Sequence, residues 1–202
     1  RLSLVGSEMC IRDRYYSNLS LLLVIKKIKN MNRPTPKHKA PKLSFPLLDG
    51  STYNLEEQKP ENFTLLVFYR GLHCPLCKKY LIELEDLLGD FDKKGVKVVA
   101  VSMDDEKRAR LSRKDWGLKE LHVGYDLDLE TAKNWGLYIS KGIKEGEPDV
   151  FSEPGLFLID NNAAVYYAAI NSNPWGRPYL PSFVKAVDFI TESGYPARGE
   201  MV

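Results

Sequence analysis

Two cysteines three positions apart, Cys74 and Cys77, lie at the junction of two strongly patterned segments of the 202-residue chain. The run Thr64–Tyr69 before them combines β-branched and aromatic residues without interruption, which is typical of a buried central strand. In the segment Pro75–Phe91, which begins directly after Cys74 and includes Cys77, apolar residues recur at helical spacing. The sequence therefore predicts that the cysteine pair lies where a buried strand gives way to a helix.

Strand and helix patterns alternate along the rest of the chain. We predict strands at 43–48, 96–101 and 121–125, helices at 104–116 and 128–135, a hairpin at 156–159 and 164–170, and a closing helix at 181–191. Strands separated by helices indicate βαβ units. The predicted fold class is α/β, with three α/β/α layers around a mixed central sheet.

The chain divides into four predicted segments. Residues 1–30 are predicted to be a non-native leader, disordered or marginal, because 4–14 resembles a translated sequencing adapter and Met31 then resembles the true start. Residues 31–42, which carry three prolines, are predicted to be an extended lead-in. Residues 43–192 form the predicted redox domain, and 193–202 a flexible tail.

Charge and hydropathy exclude two classes of partner. The net charge is +2, from 29 basic and 27 acidic residues. Without residues 1–30, 23 basic and 25 acidic residues remain, a net charge of −2, so no basic face invites nucleic acid. The sequence contains no run of 18 or more apolar residues, so no membrane span is predicted. With Cys10 in the excluded residues 1–30, only two of the three cysteines remain, three positions apart; such a pair indicates redox chemistry, and we expect a cytoplasmic location.

The predicted position of the pair suits a reactive thiol. The nucleophile is the thiolate, and an ordinary cysteine is only about 3% ionised at pH 7. Cys74 opens a helix, where unpaired N–H groups and the macrodipole favour negative charge. Cys77 lies one turn on, within reach of a disulfide. We therefore expect Cys74 to attack and Cys77 to resolve the product.

The cysteine pair has two other interpretations, a zinc site and inert buried thiols. Structural zinc needs four Cys or His ligands, but no second pair exists, and His38 and His122 are distant in sequence. Inert buried thiols are the other alternative. The redox interpretation is favoured, with no metal and no cofactor expected.

The segment Phe68–Cys77 closely resembles the active-site segment of the peroxiredoxin-like branch of the alkyl hydroperoxide reductase / thiol-specific antioxidant family, in the thioredoxin-like superfamily. The resemblance covers most of Leu43–Ile190, including Phe45–Gly50, Glu153–Asp160 and Gly176-Arg177. It implies a thioredoxin-like fold, a peroxidatic Cys74 and a resolving Cys77. It also implies that Pro154 is a cis-proline beside the dithiol and that Arg177 is the charge partner of the thiolate.

The chain departs from that family's pattern at two positions. Typical members carry a proline seven residues before the peroxidatic cysteine and a threonine or serine three residues before it. This sequence has Val67 and Gly71 there. The hydroxyl that would polarise a peroxide is absent, which puts efficient peroxide reduction in question and leaves thiol–disulfide exchange unaffected.

Five residues are predicted to bind substrate: Arg70, Gly71, His73, Pro154 and Trp175. Arg70 either pairs with the Cys74 thiolate or is a solvated loop cation. His73 could act in the same way if protonated, although a loop histidine more often faces solvent. The stretch 140–152 is interpreted as a surface loop that could instead cover the active site.

The leading hypothesis is an antioxidant-type thiol oxidoreductase that reduces a peroxide or disulfide through the dithiol. An external thiol reductant, such as thioredoxin or glutathione, would regenerate it, and a homodimer is possible. The alternatives are a thioredoxin-like reductase of protein disulfides and a non-enzymatic redox sensor or binding module.

Overall fold

The computed structural model describes residues 33–201, and the predicted leader at 1–30 lies outside them. The strands are β1 Ser44–Pro46, β2 Thr52–Asn54, β3 Phe63–Phe68, β4 Val96–Val101, β5 His122–Gly124, β6 Ile139–Lys141, β7 Val150–Ser152, β8 Gly155–Asp160 and β9 Val165–Ile170. The helices are α1 Pro75–Asp86, α2 Leu88–Lys93, α3 Glu106–Trp116, α4 Leu129–Asn134 and α5 Leu180–Ser193, and Leu55–Glu57 forms a 3-10 turn.

Five strands form the central sheet, in the order β5-β4-β3-β8-β9. Strands β3, β4 and β5 are parallel, whereas β8 runs antiparallel to β3 and β9 antiparallel to β8. Every residue of the central strand β3 is buried, because both faces of the sheet are covered. The predicted mixed sheet and thioredoxin-like α/β class are confirmed.

Side chains from the two faces of the sheet form two apolar clusters. Helices α1, α2, α3 and α5 cover one face, where Leu81, Phe91 and Val187 pack against Leu65 and Leu158. The other face is covered by α4 and the short β1–β2 hairpin. Three layers result, and α1 lies on the face that carries most of the helices. In the part of the chain from 33 to 201, no helix is both long and apolar enough to cross a membrane.

The helix after the cysteine pair is shorter than the sequence predicts. One helix is expected from Pro75 to Phe91, but α1 ends at Asp86 and α2 begins at Leu88. The N–H of Leu87 donates to the carbonyl of Leu84 at 3.2 Å, a tighter turn than that of an α-helix. The helical periodicity continues through this turn, which is why the pattern alone does not reveal the break.

The predicted surface loop at 140–152 is confirmed at 142–149, but both ends of the segment are strands. Residues Ile139–Lys141 and Val150–Ser152 pair as an antiparallel hairpin, β6–β7. Phe151 and Ser152 are buried. Strands of three residues are too short to show an alternating pattern, and these two are defined by their pairing with each other.

Candidate active site

Cys74 caps the N-terminus of α1. The chain leaves β3 at Phe68, turns through 70–73, and closes the turn with a hydrogen bond from the Cys74 N–H to the Gly71 carbonyl at 3.1 Å. Cys74 has extended backbone angles (φ −101°, ψ 104°), and Pro75 occupies the first helical turn, where its missing N–H costs nothing. The sulfur therefore faces the unpaired N–H groups at the end of the helix.

Two donors approach the sulfurs. The Cys77 N–H donates to Cys74 Sγ at 3.2 Å. Nη2 of Arg177 lies 3.0 Å from Cys77 Sγ and 4.0 Å from Cys74 Sγ. A thiolate on Cys74 would thus receive a backbone hydrogen bond and lie beside a permanent positive charge.

The position of Arg177 depends on α1 as well as on its own segment. Its Cζ lies 5.2 Å from the centroid of the Tyr80 ring, close enough for a cation–π contact. The hydroxyl of Tyr80 donates to the carbonyl of Pro178 at 2.8 Å. Tyr80 therefore fixes the segment before α5, so that the guanidinium reaches the cysteines from 100 residues further along the chain.

The pKa values of the two thiols are shifted in opposite directions. Hydrogen bonds from the side chain and backbone of Cys77, aided by the charges of Arg177 and Arg70, hold the pKa of Cys74 at about 6, well below its ordinary value. Burial and the hydrogen bond with Cys74 raise the pKa of Cys77 well above its ordinary value. At neutral pH the pair therefore holds one thiolate, on Cys74, and one proton, on Cys77.

Both cysteines are buried, with Cys74 1% exposed and Cys77 fully enclosed. The nearby cleft has a volume of about 10 Å³, room for one water molecule, and is lined in part by Tyr80, Pro154 and Arg177. Burial alone would raise the pKa of both thiols, as expected of inert cysteines. The lowered pKa of Cys74 opposes that interpretation.

Gly71 occupies the position where a hydroxyl is typical, and it faces a carboxylate. Its φ is +123°, and a Cβ on it would lie 2.5 Å from Oδ2 of Asp104. The same carboxylate, fully buried, accepts the Leu72 N–H at 2.7 Å and pairs with Nε of Arg108 at 2.7 Å. Asp104 therefore anchors the loop that leads to Cys74.

Two adjacent aspartates, Asp104 and Asp105, lie between β4 and α3 and have different roles. Asp105 is the cap of α3, since its side chain accepts the Arg108 N–H. Asp104 instead holds the cysteine loop. A signal for this was present: β3 and β4 are adjacent parallel strands, so the residues that follow them meet at one edge of the sheet.

Arg70 and His73 contact the β6–β7 hairpin. Nε of Arg70 forms an ion pair with Glu153 at 3.2 Å, and its Cζ lies 4.6 Å from the centroid of the Phe151 ring. The His73 ring lies 4.6 Å from the same ring, and both of its nitrogens are buried without a hydrogen-bond partner. Burial and the charge of Arg70 lower the pKa of His73, so it is neutral at pH 7 and adds no positive charge beside Cys74.

The predicted cis-proline is wrong. No peptide bond between residues 33 and 201 is cis, so Pro154 is trans. The trans form is the more stable by about 0.5–1 kcal/mol in X–Pro bonds, and it leaves the backbone here well bonded: the Glu153 N–H donates to Tyr138 and the Pro154 carbonyl accepts from Asn171. Pro154 does line the cleft beside Arg177.

Trp175 is not placed against the dithiol. It is 76% exposed, and its hydrogen bonds are made by its backbone, to the Asn173 side chain and from the Arg177 N–H. Of the predicted site residues, the structure brings Cys74, Cys77 and Arg177 together, places Arg70, Gly71 and His73 in the loop before them, and leaves Trp175 at the surface. Within residues 33–201 no three His, Cys, Asp or Glu side chains form a group that could hold a metal ion.

Comparisons with known proteins identify the family of the chain. The AhpC/TSA family model matches residues 36–168. The chain is 27% identical over 151 residues to a Mycobacterium tuberculosis protein assigned as a peroxiredoxin, covering 72% of this chain and 90% of that protein. It is also 27% identical over 147 residues to alkyl hydroperoxide reductase C of Helicobacter pylori, covering 68% and 71%. The crystal structure of a peroxidoxin from M. tuberculosis superposes with a TM-score of 0.63 at 16% identity, covering 78% and 98%.

Proposed function

The chain belongs to the AhpC/TSA family, and on that premise we propose that its Cys74–Cys77 pair reduces peroxides through an intramolecular disulfide. The family makes the chain a thiol-dependent oxidoreductase of the antioxidant type. The observation that carries the cysteine assignment is the hydrogen bond from the Cys77 N–H to Cys74 Sγ, with Arg177 beside both sulfurs.

The proposed cycle has three steps. The Cys74 thiolate attacks one oxygen of the peroxide, the O–O bond breaks, and the leaving oxygen takes a proton to become water or an alcohol, so that Cys74 is oxidised to a sulfenic acid. Cys77 then attacks the sulfenic sulfur, forms the disulfide and releases water. An external thiol reductant, either a dithiol such as thioredoxin or two molecules of the monothiol glutathione, returns two electrons through thiol–disulfide exchange and is itself oxidised to a disulfide.

Burial of the pair favours a peroxide over a protein disulfide as the first oxidant. Cys74 and Cys77 are buried, and the adjoining cleft beside Arg177, about 10 Å³ in volume, has room for one molecule the size of water, so a small oxidant needs less rearrangement to reach the sulfurs than a protein does. A disulfide on a folded protein must bring one of its sulfurs in line with the Cys74 thiolate. This requires the residues that bury Cys74 to move. For the same reason, the reductant meets the oxidised pair only after local opening of the loop or of α1.

The absence of a hydroxyl at Gly71 favours a second candidate function, the reduction of protein disulfides. Because Gly71 faces the Asp104 carboxylate, no hydroxyl donor is available there for a bound peroxide. A reductase of protein disulfides does not need that donor. A redox sensor using the same pair would show oxidation without turnover. Cytoplasmic location, a homodimer and substrate binding by Trp175 stay predictions.

A turnover assay separates these functions. The reduced full chain is mixed with hydrogen peroxide, with an alkyl hydroperoxide and with a protein disulfide, and a coupled thioredoxin system reports turnover. We expect peroxide-dependent turnover that Cys74→Ser abolishes and Cys77→Ser stalls at a sulfenic acid detectable by mass spectrometry. Oxidation by peroxide no faster than that of free cysteine would refute the peroxidase, and turnover with the protein disulfide alone would establish the second candidate.

A further inference from the structure

The β6–β7 hairpin holds the start of the cysteine loop through three side chains, which we call the hairpin clasp: Glu147, Phe151 and Glu153. Glu153 Oε2 lies 3.2 Å from Nε of Arg70, and Glu147 Oε1 lies 3.9 Å from its Nη2. The Phe151 ring lies under the guanidinium, 4.6 Å from Cζ, and contacts His73 at a similar distance. Carboxylates thus flank Arg70 on two sides and an aromatic ring on a third; the contact between Nε and Glu153 Oε2 is an ion pair without hydrogen-bond geometry.

Glu153 is itself fixed in place. Its side chain is 5% exposed, its Oε1 accepts the Ser140 hydroxyl at 2.7 Å, and its backbone N–H donates to the Tyr138 carbonyl at 2.7 Å. A carboxylate buried to this degree is unfavourable without a charged partner. Arg70, itself 17% exposed, is that partner. The pair therefore joins the hairpin to the loop at a defined point.

The loop between Arg70 and Cys74 is short and is held at two places. The hairpin clasp holds its first residue, and Asp104 holds the Leu72 N–H at its centre. Its last residue is the N-cap whose sulfur accepts the Cys77 N–H. Charged or titratable groups also face the loop from other elements: Asp104 and Arg108 at the start of α3, Cys77 in α1, and Arg177 before α5.

We propose that Glu153 is a positioning residue for the Cys74 thiolate: through its ion pair with Arg70 it holds the 70–74 loop so that Cys74 Sγ stays on the Cys77 N–H. The proposal rests on the proposed function, in which Cys74 is the attacking thiol. Electrostatics alone would give the opposite effect. The positive charge of Arg70 favours the thiolate, and Glu153 neutralises that charge, so without positioning Glu153 would oppose ionisation.

The positioning role and the purely electrostatic role predict shifts of opposite sign in the pKa of Cys74 when Glu153 is removed, and this allows a direct test. In the full chain carrying Cys10→Ser, the reduced pair is titrated by the ultraviolet absorbance of its thiolate, in the parent and in Glu153→Ala. We expect Glu153→Ala to raise the pKa of the first step by about one unit, which lowers the thiolate fraction at pH 6 about five-fold. A lowered pKa would show an electrostatic role only, and an unchanged pKa would show no role; either result overturns the proposal.

Two further variants keep the test decisive. Ser140→Ala leaves every charge in place and removes only the hydrogen bond that orients Glu153, so it should shift the pKa in the same direction by a smaller amount. It carries the test if Glu153→Ala does not fold, and an unshifted pKa in it then counts against the proposal. Glu145→Ala, on the same hairpin but exposed, is the matched control and should titrate like the parent.

The titration also separates this inference from the proposed function. If the parent itself ionises like free cysteine, the attacking role of Cys74 fails. If the parent has the lowered pKa and Glu153→Ala keeps it, only the positioning role fails. Melting temperatures of all variants are measured alongside, because a purely structural role would lower stability while leaving the pKa of the folded protein unchanged.

Discussion

Arg177 lies closer to the second cysteine of the pair than to the first: its Nη2 is 3.0 Å from Cys77 Sγ and 4.0 Å from Cys74 Sγ. One cation therefore serves two steps of the proposed cycle. It stabilises the thiolate that attacks, and it stabilises the negative charge that develops on Cys77 when that thiol attacks the oxidised Cys74.

Replacing Arg177 should therefore slow disulfide closure more than peroxide attack. We expect Arg177→Gln to slow closure about ten-fold, because loss of one nearby opposite charge corresponds to about one pKa unit at Cys77. Rapid quenching followed by mass spectrometry would show sulfenic acid accumulating before the disulfide. Arg110→Gln, an exposed arginine of α3, is the control; equal slowing of both steps would contradict the greater effect on closure, and slowing of neither step would contradict the dual role.

The pH dependence of peroxide attack should follow Cys74. Its pKa of about 6 predicts a single-turnover rate that rises with pH, is half-maximal near pH 6 and is level above about pH 7. Cys77→Ala removes the side-chain hydrogen bond that contributes most to the lowered pKa, so its midpoint should move upward. The two proteins should differ most near pH 6 and converge at alkaline pH, and coincident profiles would disprove the role of that hydrogen bond.

Gly71 should tolerate no side chain. Gly71→Ala combines a positive φ with a Cβ 2.5 Å from the Asp104 carboxylate, and we expect it to lower the free energy of unfolding by more than about 2 kcal/mol. Gly89→Ala, where nothing lies within 4 Å of the new Cβ, is the matched control and should be neutral or slightly stabilising. Denaturant unfolding measures both, and similar stabilities would contradict the close approach.

Glu85 should contribute a pH-dependent part of the stability. Its carboxylate accepts the N–H groups of Lys119, Glu120 and Leu121 at 2.8, 2.8 and 2.9 Å. Although partial burial opposes ionisation, these hydrogen bonds hold the pKa of Glu85 below its ordinary value. We expect Glu85→Gln to lower the free energy of unfolding at pH 7 by about 1–2 kcal/mol, the lower range for hydrogen bonds to a charged group, because the carboxylate is partly solvated.

The sign of that effect follows from the direction of the pKa shift. A carboxyl with a lowered folded-state pKa stabilises the protein fully above its unfolded-state pKa, and this contribution is lost as the pH falls through the folded-state pKa. The difference between the parent and Glu85→Gln should therefore shrink below about pH 4. Asp86→Asn on the same helix is the control, and a difference that does not change with pH would refute the carboxylate's role.

Local pattern was enough to predict the frame of the site. The buried strand before Cys74 and the helix after it were predicted to within a residue or two of β3 and the start of α1. Both signals are short-range. A continuous run of apolar, β-branched residues is typical of a central strand, and Pro75, directly after the N-cap residue Cys74, is typical of the first turn of a helix. The break at Leu87 and the short strands of the β6–β7 hairpin carry no comparable local signal.

The sequence by itself therefore determined the strand, the helix and a sulfur at their junction, because these depend on neighbours within one or two turns of chain. Only the tertiary structure decided what surrounds that sulfur. Asp104 reaches the loop across 32 residues and Arg177 reaches the cysteines across 100 or more, and both contacts depend on strand order and register in the sheet. The trans state of Pro154 and the ion pair of Glu153 with Arg70 are likewise consequences of packing, since no local pattern specifies which distant backbone or charge a side chain will meet.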